Sequence, residues 1–311
     1  MEHHLYPTSG KRRRVTIAAA MAAALLAALA VAAIESATPA LASTVPVATV
    51  VGPNSPFDST AEKTTIALCP AGQRVLGGGV RVNLGDDHII VTREEPVHAL
   101  DTGQDSFVVT AVEDGVGTPN AWALQAYAVC SPPIPGMVLV SKIGPTDSQG
   151  FQGVSASCPA NTFLLGAGGR TLDGQGRVGL VTQVNGSATF PNGVNAGGFE
   201  EFGTTSPTGP VPGFKGNWSV IAFAVCAPKV LSTDVEVVRA DAVPSTVNPK
   251  IIAATCPSGK RVTGGTAWAD VTAVVNSENI DANRLRVQGI IRQHEALPGN
   301  WGGFVMAICW A

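Results

Sequence analysis

CPAGQRVLGGG at residues 69–79 is the stretch that decides the fold, because its spacing recurs at two later places in the chain. Each copy begins with Cys-Pro and reaches a glycine eight residues after the cysteine, in the pairs Cys69/Gly77, Cys158/Gly166 and Cys256/Gly264. Each copy ends with a tryptophan eight residues before a second cysteine, in the pairs Trp122/Cys130, Trp218/Cys226 and Trp301/Cys309. The chain therefore contains three copies of one unit, which together use all six cysteines.

The first 42 residues have the organisation of a secretory signal peptide. A basic start at residues 11–14 precedes an alanine- and leucine-rich run from Val15 to Ile34, and residues 40–42 (Ala-Leu-Ala) supply the small residues of a cleavage site. We expect cleavage before Ser43 and a secreted, extracellular protein. About 20 apolar residues can also span a bilayer, so the alternative is a protein anchored in the membrane through residues 15–34.

The charge balance argues against a nucleic-acid partner. The chain has 20 basic and 23 acidic residues; without residues 1–42 it loses four basic and two acidic ones, which leaves 16 against 21 and a net charge of −5. Nucleic-acid binding depends on clustered Lys and Arg. No such cluster follows residue 42 in the sequence.

The composition of the mature chain predicts an all-β protein. Gly and Pro interrupt short apolar runs at intervals of roughly ten residues, which is the pattern of many short strands joined by turns. We place repeat 1 at residues 43–133, repeat 2 at 134–228 and repeat 3 at 229–311. The Gly-, Pro- and Asn-rich stretch at residues 185–217 is predicted to be mostly loop.

Six cysteines in an exported chain predict three disulfides, and fifteen connectivities are open in principle. The repetition leaves two symmetric choices. In the favoured one each repeat closes on itself, as Cys69–Cys130, Cys158–Cys226 and Cys256–Cys309. In the other, neighbouring repeats are joined, as Cys130–Cys158, Cys226–Cys256 and Cys309–Cys69.

The closing segments at residues 122–130, 218–226 and 301–309 are apolar on both faces of a strand with period two. A strand that is apolar on both faces is buried on both faces, so each segment is predicted to be a central strand, with its tryptophan in the core. The glycines eight residues after each first cysteine predict a bulge or the close approach of another backbone. The prolines after those cysteines predict a strand end.

The strings CPAGQRVLGGG and WALQAYAVC resemble a repeat found in exported actinobacterial proteins, most of them uncharacterised, and the resemblance covers essentially the whole mature chain. More distantly, the three Cys-Pro copies resemble the vitelline membrane outer layer protein family, which implies a β-prism with pseudo-threefold symmetry. Repeat 2 departs from that pattern, because Asn161 stands where repeats 1 and 3 have Gly.

The alternative architecture is three β-sandwich-like domains in a row, because each repeat is near the size of such a domain. Against it, the linkers after Cys130 and Cys226 are short. We expect the strand after each closing cysteine to pair with the neighbouring repeat, which would cover edges that isolated units leave exposed.

The sequence offers no catalytic motif. Nucleophilic catalysis needs a Ser or Cys beside a His and an acid, but the mature chain has only His88, His98 and His294 and no Gly-x-Ser-x-Gly elbow. No Cys or His spacing is typical of zinc, so we assign no cofactor and no metal site. Carboxylates that could act on glycosides have no spacing that favours one pair; they are Asp86, Asp87, Glu94, Glu95, Glu200 and Glu201.

Two groups of residues remain as candidate ligand contacts. Asp86, Asp87 and His88 form the densest polar cluster and could hold a cation, whereas residues 173–176 lack the further carboxylates of a calcium loop and are predicted to be a turn. Trp268 and Trp310 lie outside the repeat pattern and are therefore the expected exposed pair.

Everything that recurs in the chain explains folding, and nothing that recurs is reactive. The sequence therefore favours a secreted, non-enzymatic structural or binding protein whose partner is a glycan or another component of the cell envelope. The alternative is a secreted hydrolase that acts on glycans through loop carboxylates.

Overall fold

The computed structural model describes residues 46–99, 104–201, 204–206, 209–211, 213–229, 234–270, 273–293 and 299–311. The predicted signal peptide, the alternative anchor at residues 15–34 and His294 lie outside these ranges. The described part contains 20 strands and no α-helix, which confirms the all-β class. Its contacts group residues 45–311 as one unit.

The strands fall within the predicted boundaries of the three repeats. Repeat 1 contains β1 (Ala48–Asn54), β2 (Glu62–Leu68), β3 (Arg74–Asn83), β4 (Ile89–Val97), β5 (Ser106–Glu113) and β6 (Ala123–Ser131). Repeat 2 contains β7 (Val138–Ile143), β8 (Phe151–Ser157), β9 (Thr162–Leu172), β10 (Val178–Ser187), β11 (Phe190–Glu200), β12 (Thr204–Ser206), β13 (Gly209–Val211) and β14 (Ser219–Pro228). Repeat 3 contains β15 (Val235–Asp241), β16 (Lys250–Thr255), β17 (Arg261–Ala269), β18 (Ala273–Ile280), β19 (Arg286–Gln293) and β20 (Gly303–Trp310).

One antiparallel pairing scheme recurs in all three repeats. The first, last and third main strands form the orders β1-β6-β3, β7-β14-β9 and β15-β20-β17. The second, fifth and fourth form the orders β2-β5-β4, β8-β11-β10 and β16-β19-β18. The strands β12 and β13 are an extra two-stranded sheet in repeat 2.

Three seams join the repeats. At the first seam β4 pairs with β9, and at the second seam β18 pairs with β3. These two ladders turn the six three-stranded units into two six-stranded and two three-stranded sheets. At the third seam β10 contacts β17, and no ladder joins their described residues.

The closing strands β6, β14 and β20 are the central strands of their units, as the sequence predicts. Their tryptophans Trp122, Trp218 and Trp301 are buried. The disulfides are Cys69–Cys130, Cys158–Cys226 and Cys256–Cys309, which confirms that each repeat closes on itself. Closure of loops of 61, 68 and 53 residues stabilises the fold by about 4 kcal/mol for each disulfide.

The recurring glycines Gly77, Gly166 and Gly264 bring the third strands β3, β9 and β17 together. A Cβ on Gly264 would lie 2.9 Å from the Cα of Gly166, and a Cβ on Gly166 would lie 3.0 Å from the Cα of Gly77. Each strand also shifts register just before its glycine. Both sequence expectations, a bulge and a close backbone approach, are therefore confirmed.

The turn after each Cys-Pro is conserved in geometry across the repeats. A backbone N–H donates to the proline carbonyl oxygen in all three, from Gln73, Thr162 and Lys260. The residue before each donor has positive φ: 76° at Gly72, 61° at Asn161 and 87° at Gly259. Asn tolerates this left-handed conformation, so Asn161 can replace the glycine of the other repeats and repeat 2 forms the same turn.

Two sequence expectations are wrong. The stretch at residues 185–217 is not mostly loop, because β11 spans Phe190–Glu200 as the middle strand of its unit. Its glycines leave room for aromatic rings: a Cβ on Gly198 would lie 2.6 Å from the Trp218 ring. In addition, the strands after the closing cysteines, β7 and β15, pair with β14 and β20 of their own repeats rather than with the preceding repeat.

Candidate functional site

Asp86 and His88 form part of a hydrogen-bonded network around the β4–β5 hairpin, and the charge of Asp87 acts on His88. His88 Nδ1 lies 2.7 Å from Asp114 Oδ2. This hydrogen bond raises the pKa of His88 to about 9, so the imidazole is cationic at neutral pH. A protonated imidazole can neither ligate a metal nor accept a proton.

Repeat 2 contains the same arrangement with different residues. Asp114 N–H donates to the His88 carbonyl, and Glu201 N–H donates to the Arg177 carbonyl, so the two pairs occupy equivalent places beside their hairpins. Arg177 Nε lies 2.7 Å from Glu201 Oε2. At these two equivalent places a cationic side chain pairs with a carboxylate, a histidine in repeat 1 and an arginine in repeat 2.

Asp86 uses both of its carboxylate oxygens to hold the loop. Oδ1 accepts the backbone N–H of His88, and Oδ2 accepts hydrogen bonds from the Thr118 hydroxyl and the Asn120 amide. Burial opposes its ionisation, but these hydrogen bonds outweigh burial and lower the pKa of Asp86. The cluster is thus internally satisfied, which does not favour the cation site that its sequence suggested.

The expectation of an exposed Trp268/Trp310 pair is wrong for Trp310. Trp310 is buried at the end of β20, where it lies opposite Val235 and Arg261 on the two flanking strands. Trp310 lies outside the repeat pattern, but the central position of β20 covers it on both sides. Trp268 is half-buried and lies on β17.

Trp268 belongs to an aromatic cluster at the third seam. Its ring stacks on Phe304 with centroids 6.3 Å apart and meets Phe151 and Phe199 edge-on at 6.1 and 6.0 Å. Arg239 lies over the other ring of the stacked pair, 3.7 Å from the Phe304 centroid. Only Phe151 in this cluster is exposed.

Of the other carboxylates considered for glycoside hydrolysis, Glu94, Glu95 and Glu200 lie on strands, and Glu201 directly follows β11. Glu95 Oε2 accepts from Arg93 Nε at 2.6 Å. Glu200 Oε1 accepts the indole N–H of Trp218 at 2.7 Å, as Glu113 accepts that of Trp122 at 3.2 Å. The sequence did not indicate these tryptophan–carboxylate pairs, although both members recur at equivalent positions.

Two buried glutamates lie close together, Glu94 in the ladder of the first seam and Glu278 in the ladder of the second. Burial raises the pKa of Glu94 to about 8. Burial, together with the charge of Glu94, raises the pKa of Glu278 well above its usual range. One oxygen of each carboxyl has no hydrogen-bond partner among the described residues. Sequence reasoning included Glu94 only as one of six acids and missed Glu278.

An open polar groove crosses the first seam. Its volume is about 330 Å³. The side chains that line it come from repeat 1 and repeat 2 and include Glu62, Thr64, Arg93, Thr110, Arg170 and Asp173. Arg93 and Arg170 lie directly opposite each other on β4 and β9. The predicted turn at residues 173–176 forms one wall, and both Asp173 and Gln175 have positive φ there.

Two other kinds of site are absent from the described ranges. No group of three or more His, Cys, Asp or Glu side chains there is arranged to hold a metal ion. No helix in this part of the chain is long and apolar enough to cross a membrane. The three disulfides indicate an oxidising environment such as the extracellular space.

No protein-family model matches the chain, and no curated protein is significantly similar to it in sequence. The function must therefore be inferred from the residues themselves.

Proposed function

We propose that this chain is a secreted, non-enzymatic binding or structural protein of the cell envelope or the extracellular space, and that its ligand is a glycan or another envelope component. The observation that carries the proposal is the equivalence of the His88–Asp114 and Arg177–Glu201 pairs. His88, which lies in the densest polar cluster of the sequence, belongs to one of two equivalent ion pairs, each at the end of a hairpin. Its role is therefore structural.

The three repeats are proposed to form one closed body with pseudo-threefold symmetry, as in a β-prism. The recurring pairing scheme and the convergence of Gly77, Gly166 and Gly264 support this arrangement. So does a second convergence, in which Gly179 of β10 approaches the side chains of Ile90 on β4 and Val274 on β18. Ladders between repeats argue against three β-sandwich-like domains in a row.

Small-angle scattering tests the closed body. A compact body of the 269 residues that remain after removal of residues 1–42 should have a radius of gyration of roughly 18 Å. A clearly larger value with an elongated profile would indicate separate domains and would remove the comparison with a prism.

The alternative function is a hydrolase that acts on glycans. One observation favours it: Glu94 has a raised pKa of about 8, as a general acid requires. However, Glu94 and Glu278 are only 6% and 2% exposed, so a sugar cannot reach them in this conformation. The binding proposal is therefore the better supported of the two.

A glycan array combined with a screen of hydrolase substrates on the secreted protein separates the two functions. Binding without turnover is the expected result. Turnover that is lost in a Glu94→Gln variant, with the fold preserved, would establish the hydrolase instead.

A further inference from the structure

The groove at the first seam has the chemistry of a ligand site. It runs across four adjacent strands in the order β2-β5-β4-β9, so residues of two repeats face one ligand. Neighbouring strands lie about 4.8 Å apart, and four strands therefore span roughly 14 Å. This length suits a short linear polymer rather than a single ion.

A row of threonine hydroxyls lies along the groove. Thr64 and Thr110 are direct partners on β2 and β5, with their Oγ1 atoms 2.9 Å apart. Thr92 and Thr171 continue the row on β4 and β9. Each hydroxyl both donates and accepts a hydrogen bond, as the hydroxyl groups of a sugar do.

Two arginines lie at the centre of the seam. Arg93 and Arg170 face each other in the ladder, although like charges directly opposite are destabilising. Glu95 is the shared counter-ion: it lies 2.6 Å from Arg93 Nε but 3.8 Å from the nearest nitrogen of Arg170, beyond hydrogen-bond distance. One carboxylate thus serves two guanidinium groups, each of which carries five N–H donors. A second carboxylate, from a ligand, would complete the arrangement with charge-assisted hydrogen bonds.

The rest of the lining fits a hydroxylated ligand. Glu62 and Asp173 lie in the groove wall and can accept hydrogen bonds from sugar hydroxyls. None of the described residues that line the groove is aromatic. The site would therefore select its ligand by hydrogen bonds and charge rather than by stacking on apolar sugar faces.

The other seams lack this arrangement. The residue equivalent to Arg170 is Arg81 at the second seam and Trp268 at the third, as their places opposite the closing strands show. Arg81 faces Ser277, not a second arginine. The arginine pair is thus specific to one seam, although the strand scheme recurs three times.

We propose that this groove binds an acidic polysaccharide, with a uronate carboxylate between Arg93 and Arg170 and the sugar hydroxyls along the threonine row. The inference rests on the proposed function, because it names the ligand class and the site of a binding protein. The site needs both repeats, since neither arginine alone provides the pair.

Calorimetric titration with short oligomers of galacturonic acid, and with the matching neutral oligomers of galactose, tests this site. The uronate oligomers should bind at least tenfold more tightly than the neutral ones, and more weakly as salt is raised. Arg93→Gln and Arg170→Gln should each reduce the affinity for the uronate oligomers about tenfold, because each removes one of the two guanidinium groups that bind the uronate carboxylate. Thr110→Val should reduce it about threefold. Arg170→Lys should give an affinity between those of the wild type and Arg170→Gln, because lysine keeps the positive charge but lacks the planar set of N–H donors of a guanidinium group.

The matched control is Arg81→Gln, which removes the equivalent arginine of the second seam and should leave affinity unchanged. Uronate binding that survives both Arg93→Gln and Arg170→Gln would overturn the site while leaving a glycan-binding function in place. No binding of uronate oligomers by the wild-type protein would likewise overturn the site. Failure on the full glycan array together with turnover in the hydrolase screen would instead overturn the proposed function.

Discussion

The first two seams and the third seam join equivalent strands by different means. At the first and second seams, the fourth strand of one repeat hydrogen-bonds to the third strand of another, as β4 with β9 and β18 with β3. At the third seam, no ladder joins the described residues of β10 and β17. Trp268 of β17 instead packs against Phe151 of β8 and Phe199 of β11 across the seam, and against Phe304 of its own repeat.

A bulge in the fourth strand accounts for the difference. In β4 the register against β5 shifts between Val91 and Arg93, and in β18 the register against β19 shifts between Val275 and Ser277. Both shifts lie immediately before the residues that pair across the seam. In β10 the only shift against β11 comes later, after Asn185. A bulge bends its strand and re-aims the groups beyond it, so only the bulged strands present their edges to a neighbouring repeat.

The comparison of the seams shows how one strand-pairing scheme can present different side chains where the repeats meet. Where a ladder forms, the third strand can keep a polar arginine at the seam, as Arg81 and Arg170 do. Where no ladder forms, a large aromatic residue takes the same place and supplies apolar contact. The residues at the seams therefore differ although the pairing scheme within each repeat is the same.

Substitution at the point where the third strands meet should have the largest effect, because it disturbs all three seams together. In Gly166→Ala the new Cβ would overlap the backbone carbonyl of Leu76, which cannot move like a flexible side chain. We expect the free energy of unfolding to fall by about 3 kcal/mol, at the upper end for overpacked cores. Urea denaturation followed by tryptophan fluorescence measures it.

Gly150→Ala is the matched control, because only one atom, Glu200 Oε2 at 3.9 Å, lies near its added Cβ. Its stability should stay within about 0.5 kcal/mol of the wild type. Equal losses in both variants would mean that the glycines do not mark a special convergence of backbones.

The repeated spacing allowed the main features of each repeat to be predicted. Residues that are apolar on both strand faces placed the central strand, and the repetition reduced the possible cysteine pairings to two symmetric sets, of which the favoured self-closing set is observed. Glycine content misled the prediction for β11, because Gly193, Gly197 and Gly198 mark close packing rather than a loop; a Cβ on Gly197, for example, would lie 2.9 Å from the Phe151 ring. Sequence alone does not distinguish a glycine that makes a turn from one that accommodates a ring.

The candidate site could not be predicted in the same way. Arg93 and Arg170 belong to different repeats and meet only because β4 pairs with β9. No local sequence pattern indicates which strand edges will pair, because periodicity indicates which residues are buried but not which strand lies next to them. An alignment of the three repeats would have shown one useful signal: Arg81 and Arg170 occupy the same place, whereas the third repeat has Trp268 there.

Truncation of Trp268 should weaken the third seam and leave the other two intact. Aromatic pairs contribute about 0.5–1.5 kcal/mol beyond the area they bury, and Trp268 contacts three rings. We expect Trp268→Ala to cost about 2 kcal/mol. Native-state hydrogen exchange should show faster exchange in β10 and β17 than in the wild type, because no ladder compensates there.

Arg81→Ala removes the equivalent residue at the second seam and serves as the control. Its side chain is exposed and the ladder beneath it is made by the backbone, so its cost should stay within about 0.5 kcal/mol. A loss as large as that of Trp268→Ala would show that side chains hold the laddered seams as well, and the contrast between the seams would disappear.

Glu278→Gln should have a smaller effect, and one that depends on pH. Glu94 and Glu278 are carboxyls whose pKa is higher in the folded state than in the unfolded state. Between the unfolded pKa near 4.3 and the folded value, the folded protein holds more protons, so stability is complete below that window and falls as pH rises through it. Each carboxyl contributes a slope of at most about 1.4 kcal/mol per pH unit.

Replacing Glu278 by Gln removes one of these two carboxyls and also the charge that acts on Glu94. The stability curve from pH 4 to pH 8 should therefore become shallower, with the variant equal to the wild type near pH 4 and about 1 kcal/mol or more above it at pH 8. Glu62→Gln, at an exposed position on β2, controls for the change in net charge. If urea denaturation gives parallel curves for the wild type and Glu278→Gln, the buried pair that links the first and second seams does not couple folding to protonation.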